Sequence, residues 1–228
     1  VKKTFTHYED LLKDSEIDAV IIALPTHLHL QCARRVAEAG KHIFLEKPIA
    51  TSVNEAKEIV SAAHKKSVKL MMGYPLRFNS AFRSIKEKIK DGTLGEVEIA
   101  HAVYVSSGPF FHREESYTPV PVPEWWFKKE LTGGGALTDL GSHIINLLRW
   151  YFGEVSNIKS CLGYRLNMNL EDFAVCLAKF QTGTTGIISV GWFSQAYQIK
   201  VDVFGSVKND SAENLPSHPL VTAGQMIA

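Results

Sequence analysis

The sequence lacks most of the features that announce a chemistry by themselves. Its three cysteines, Cys32, Cys161 and Cys176, have no CxxC spacing. That excludes a cysteine-held metal cluster and suits a reducing compartment. Charge of neither sign is in excess: 25 basic residues face 24 acidic ones, a net of +1. There is accordingly no electrostatic basis for nucleic acid or an anionic membrane as partner. No apolar run approaches the ~20 residues that span a bilayer. No charged-then-apolar leader opens the chain, so a cytoplasmic protein is expected. There is no internal repeat, no low-complexity tract and no G-x-G-x-x-G turn. The 228 residues are 45% hydrophobic and 21% charged, ordinary for a globular protein and enough for one good core or two modest ones.

Strand-like and helix-like segments alternate in the first part of the chain. Tyr8–Asp14 reads as a short helix. The apolar run Ala19–Leu24, stopped by Pro25, reads as a strand buried on both faces. Leu30–Ala39 has helical spacing and Gly40 caps it. His42–Leu45 is the next strand, and Ser52 caps a helix over Val53–Lys65. Val68–Tyr74 closes the series. This alternation predicts a parallel sheet covered by helices over residues 1–75. From residue 76 to 228 the rhythm changes. Helices are expected over Ala81–Lys90 and Ala136–Phe152, and strands over Val97–Ser106, Phe173–Phe180, Gly186–Phe193 and Val201–Phe204. Gly108–Trp126, rich in proline and aromatics, reads as an irregular loop. Few helices separate these strands, so an α+β domain with a mostly antiparallel sheet is expected.

Three clusters could carry chemistry. Leu24-Pro25-Thr26-His27-Leu28-His29 lies just past a buried strand, where open α/β sheets bind ligands. It is equally a plain turn with solvent-facing histidines. Glu46-Lys47-Pro48 also follows a strand, and a lysine there can stabilise charge developing on a substrate oxygen. A surface salt bridge beside a proline is the blander account. Gly133-Gly134-Gly135 leads into Asp139 and His143, which are four residues apart and share a helix face. A carboxylate beside an imidazole can orient it and favour its charged form, as a general base requires. The same pair could be purely structural. Three imidazoles and a carboxylate (His27, His29, His143, Asp139) also admit a metal-dependent hydrolase.

Taken together and in this order, the residues resemble the glucose-fructose oxidoreductase and inositol dehydrogenase (Gfo/Idh/MocA) family. Asp18–His29 is similar to its D-A-V-I-I-A-x-P-x-x-x-H strand end, Ala39–Pro48 to A-G-K-H-I-x-x-E-K-P, and Gly73–Asn79 to G-Y-x-x-R-F-N. The glycine-rich turn with Asp139 and His143 resembles its substrate-site helix. The resemblance implies a partial Rossmann-type sheet followed by an α+β domain whose open sheet joins subunits into a homodimer or homotetramer. It further implies hydride transfer between NAD or NADP and a sugar, inositol or related polyol. Leu24, Pro25, Thr26, His29, Glu46, Lys47 and Arg77 would then be cofactor-side residues. Lys47 would also sit at the reacting hydroxyl, with Asp139, His143 and Trp126 toward the substrate. A cis Lys47–Pro48 peptide belongs to the same pattern. Two departures stand out. The family pattern begins with the G-x-G-x-x-G turn that this sequence lacks, so about 60 residues are expected ahead of Val1. The tail from Val207 to Ala228 reads as not continuing the sheet that Val201–Phe204 begins. A non-catalytic relative without the cofactor half is therefore the remaining alternative.

Overall fold

Short apolar runs between helices build a first set of elements in which every strand points the same way. The computed structural model describes residues 3–109, 122–166, 168–194 and 197–214. Its chain divides into two compact units, one of Val1–Tyr74 with Lys128–Gly133 and one of Pro75–Phe127 with Gly134–Ala228.

In the first unit α1 (Tyr8–Leu12), β1 (Ala19–Ile22), α2 (His29–Glu38), β2 (His42–Leu45), α3 (Val53–Lys65) and β3 (Leu70–Met72) follow one another. The strands form a parallel sheet in the order β1-β2-β3. Local signals account for the boundaries. Gly40 takes a positive φ of 73° just beyond α2. Ser52 Oγ accepts the Glu55 N–H at 3.3 Å to start α3, while the Glu55 carboxylate accepts from the Thr51 hydroxyl at 2.7 Å. Ile22, Ile43 and Leu45 pack with Ala33, Val36, Ala37 and Ile59 from the covering helices. Buried Lys41 extends its ammonium to the carbonyls of Asp14 and Ile17, 2.8 Å from each, and so fixes the connection that follows α1. One expectation fails here. β1 is not buried on both faces: Ile21 is 71% exposed, and Met71 in the same cross-strand column is 47% exposed. The packing helices cover the Ile22–Leu45 side, which leaves the opposite column open.

The second unit contains α4 (Ser80–Lys90), β4 (Val97–Val105), α6 (Ser142–Phe152) and β5 to β9 at Val155–Gly163, Phe173–Phe180, Thr185–Gly191, Gln198–Gly205 and Asn209–Asn214. A short helix, α5 (Lys129–Thr132), belongs to the first unit. The six strands run β5-β6-β7-β4-β8-β9, antiparallel except for the parallel pair β4–β7. Alternation sorts their side chains. Ala100, Ala102, Ala174, Ala178, Ile188, Val201 and Val203 face the helices and are buried. The small alanines let Phe82 and Ile85 of α4 and Ile144, Leu147 and Leu148 of α6 pack in the same core. The Tyr151 hydroxyl donates to Phe82 O at 2.7 Å, tying α6 to α4. Burial beside that bond pushes the Tyr151 phenol well above its usual range.

Two further expectations are corrected. The tail does continue the sheet: after a tight turn at Ser206–Lys208, β9 pairs antiparallel with β8 from Phe204–Asn209 to Ile199–Asn214. Residues 215–228 lie outside the described part. The long helix expected over Ala136–Phe152 opens with a π-helical turn at Leu137–Gly141 before α6 proper. Strand β5 had no expectation at all. It is an edge strand carrying Ser156, Asn157, Lys159 and Ser160, and so has no apolar period to read. Residues 110–121 of the Gly108–Trp126 loop are outside the description, and Glu124–Phe127 forms a 3₁₀ turn.

Leu148 is fully buried in the second core. Leu148→Ala should lower the free energy of unfolding by about 2–5 kcal/mol, the range for deleting a packed leucine side chain. Denaturant titration of the variant against the parent measures it, and a loss under ~1 kcal/mol would contradict this packing.

Candidate functional site

In the first unit the carboxyl ends of the three parallel strands carry the candidate residues. β1 delivers Leu24-Pro25-Thr26, β2 delivers Glu46-Lys47-Pro48, and β3 delivers Gly73. A Cβ at Gly73 would lie 3.0 Å from Glu46 Oε2, so the Glu46 side chain packs closely on this position. The Lys47 backbone N–H donates to the same Glu46 carboxylate at 3.2 Å. Lys47–Pro48 is a cis peptide. Thr26 and His29 are buried, whereas Leu24 is partly exposed. His29 opens α2, and its two ring nitrogens meet backbone carbonyls. Nε2 lies 2.8 Å from Leu24 O, and Nδ1 lies 3.0 Å from Pro48 O and 3.3 Å from Ile49 O. The ring thus ties the end of β1 to the turn after β2. Both nitrogens being so engaged removes His29 from a metal site. Among the described residues no group of three or more His, Cys, Asp and Glu is arranged to hold a metal ion.

In the second unit the glycine-rich turn meets a partner that sequence spacing did not reveal. Glu171, buried just before β6, accepts the Gly135 N–H at 2.8 Å and the Leu137 N–H at 3.2 Å through its carboxylate. Its backbone carbonyl accepts the Ala136 N–H at 2.8 Å. The first amides of a helix have no partner within it, and a carboxylate at that end also suits the helix dipole. Gly135 can carry no side chain here, because a Cβ would sit 2.1 Å from Glu171 O. The π-helical turn then presents Asp139, whose N–H donates to Gly135 O at 2.9 Å.

Asp139 Oδ2 accepts from the indole Nε1 of Trp192 at 3.1 Å. His143, one turn on, faces the Tyr104 ring at a centroid distance of 5.9 Å. The Tyr104 hydroxyl is 3.0 Å from that of Tyr197, and the two rings meet edge to face. Burial, then Tyr197, then the nearby charge of Asp139 hold the Tyr104 phenol far above its usual range, so it stays protonated. Trp126, in the 3₁₀ turn, packs with its ring 6.5 Å from that of Trp192. Asp139, His143, Tyr104, Tyr197, Trp192 and Trp126 are therefore one cluster of the second unit. Arg77 donates to Asn146 Oδ1 at 2.7 Å and lies over the Trp150 ring. Glu171, Trp192, Tyr104 and Tyr197 were not anticipated. The acidic pair Glu171-Asp172 ahead of an apolar strand was the one available signal.

Against known proteins, residues 1–74 match the model of an oxidoreductase family with an NAD-binding Rossmann fold, and residues 82–208 match the GFO/IDH/MocA C-terminal domain. The chain belongs to the Gfo/Idh/MocA family. Among its relatives in that family, the levoglucosan dehydrogenase of Pseudarthrobacter phenanthrenivorans is 32% identical over 68% of this chain and 38% of its own length. The myo-inositol 2-dehydrogenase of Thermotoga maritima is 26% identical over 94% of this chain and 62% of its own. Among solved structures, GenD2 from gentamicin A biosynthesis in complex with NAD superposes with a TM-score of 0.81 at 29% identity, covering 92% of this chain and 58% of that one. The chain spans less than two thirds of the length of these relatives.

The Glu171 contact gives a direct test of the Gfo/Idh/MocA helix start. Glu171→Ala leaves two amides without their acceptor and should cost about 1–3 kcal/mol of stability. Glu171→Gln keeps an acceptor oxygen and should cost less. Equal and negligible losses in denaturant melts would show that the carboxylate does not hold the turn.

Proposed function

We propose that the protein is an NAD(P)-dependent oxidoreductase that moves a hydride between the nicotinamide and a hydroxyl-bearing carbon of a sugar, inositol or related polyol. The observation that carries this reading is the second-unit cluster in which Asp139 and His143 share one helical turn. The relatives that act on levoglucosan and myo-inositol support the substrate class. The residues present fit the nicotinamide end of a dinucleotide. Three parallel strands end together on Thr26, Glu46-Lys47 and Gly73, and a Cβ at Gly73 would lie 3.0 Å from the Glu46 carboxylate. When bound, the nicotinamide supplies the hydride acceptor.

The rest is work for this chain's own side chains. Oxidising a carbinol removes the hydroxyl proton together with the carbon-bound hydrogen and its electron pair. His143 takes that proton, Asp139 orients the imidazole or a neighbouring hydroxyl, and the Lys47 ammonium stabilises the alkoxide character that develops. The Tyr104 ring packs beside that of His143. His29 positions the Pro25 and Pro48 turns through the carbonyls that its ring meets.

In the full-length gene product, Lys47→Ala or His143→Ala should lower turnover by ~10²–10⁴-fold, the range for a positioned acid–base group, with little change in cofactor affinity. Steady-state kinetics on the best substrate from a panel of inositols and hexoses checks this. Near-normal turnover of His143→Ala would remove it from the reaction.

The outer face of the six-stranded sheet supports assembly into a homodimer or homotetramer. Val175 and Leu177, 45% and 49% exposed, share that face with Ile99 and Phe204. Leu177→Glu should shift the sedimentation coefficient to that of a monomer, and an unchanged value would rule this face out as the contact.

A further inference from the structure

Trp192 follows β7, and only 1% of it is exposed. Three separate features fix its indole. The backbone N–H donates to Asp172 O at 2.8 Å. Gly108, at φ 57°, leaves the space that the ring fills, since a Cβ there would lie 2.4 Å from Trp192 Cγ. The Trp126 ring packs beside it. A buried indole needs an acceptor for its N–H and can only donate. Here the acceptor is Asp139 Oδ2 at 3.1 Å. A filler of the core would be served by any carbonyl; this one is aimed at the carboxylate of the proposed site, where a charged acceptor makes the bond about twice as strong as a neutral one.

The backbone of Asp139 is located from the other side by the same short segment. Glu171 holds the amides of Gly135 and Leu137, and Asp139 N–H donates back to Gly135 O. Residues Glu171 and Asp172 therefore set both the main chain that carries Asp139 and the tryptophan that grips its side chain. Resting on the reading of Asp139 and His143 given above, we infer that Trp192 is a positioning residue for the reaction. Its N–H holds Oδ2 as an acceptor and fixes the carboxylate's rotamer.

Trp192→Phe keeps a ring in the slot and removes the donor. In the full-length gene product, single-turnover hydride transfer followed by nicotinamide absorbance should slow by about 10-fold to 10²-fold, the scale of a small misplacement of a catalytic group. The KM for the cofactor should stay unchanged. The deciding measurement is the double-mutant cycle with Asp139→Ala. Once the carboxylate is gone, Trp192→Phe should change the residual single-turnover rate by no more than roughly 2-fold, the usual limit of additivity error. If Trp192→Phe is harmless alone, or slows the reaction by the same factor with and without Asp139, the inference is overturned while the site assignment stands. If Asp139→Ala and His143→Ala leave turnover intact, the site assignment falls and takes this inference with it.

Discussion

The contact between Glu171 and the start of the long helix is the constraint on which the second unit's cluster around Asp139 depends. A helix that begins in the interior brings several amides without partners, and leaving them dry is costly. Here a buried carboxylate and its own backbone carbonyl answer three of them, at Gly135, Ala136 and Leu137. That arrangement demands glycine at 135, since the chain passes too close to Glu171 for any side chain. It also registers the helix against the sheet, because Glu171 stands immediately before β6 and Asp172 receives the amide of Trp192 beyond β7. Asp139 inherits its place from these bonds.

Several polar residues of the first unit are consumed by the fold. Lys41 and His29 are spent on backbone carbonyls, and each joins segments that the parallel strands alone would not hold. Glu46 braces the turn after β2 and packs on Gly73. A parallel sheet delivers all its strand ends to one edge, so a few well-braced turns suffice to collect Thr26, Glu46 and Lys47 at the same edge.

Much of this was legible in the sequence where the signal is local. The β1, β2 and β3 runs, the Ser52 cap and the Gly40 terminator all follow from neighbours a few residues apart. The ordered motifs carried the family itself, which no single one could do. What was missed depends on contacts across the chain. Glu171 reaches Gly135 over 36 residues and Trp192 reaches Asp139 over 53, and neither distance leaves a periodic trace. β5 was invisible because an edge strand has no obligation to alternate. Ile21 looked like core because a run of β-branched residues does not say how many of its faces will be covered.

The π-helical turn at Leu137–Gly141 has a consequence for which insertions and deletions this region tolerates. One residue more than an α-turn is packed into that loop of the helix, so residues before and after it are out of phase by about 100° relative to an uninterrupted α-helix. The rows of α6 that fill the core, Ile144, Leu147, Leu148 and Tyr151, keep their own phase, while Gly135 to Asp139 obey the one set by Glu171. Deleting a single residue there would let the hydrogen-bond ladder close as an ordinary helix, but would move Ala136 and Leu140 against the core rows of α6. It would also swing the Asp139 carboxylate around the helix axis and away from the indole. Chain length in this one turn is therefore coupled to chemistry in a way that side-chain identity alone would not show.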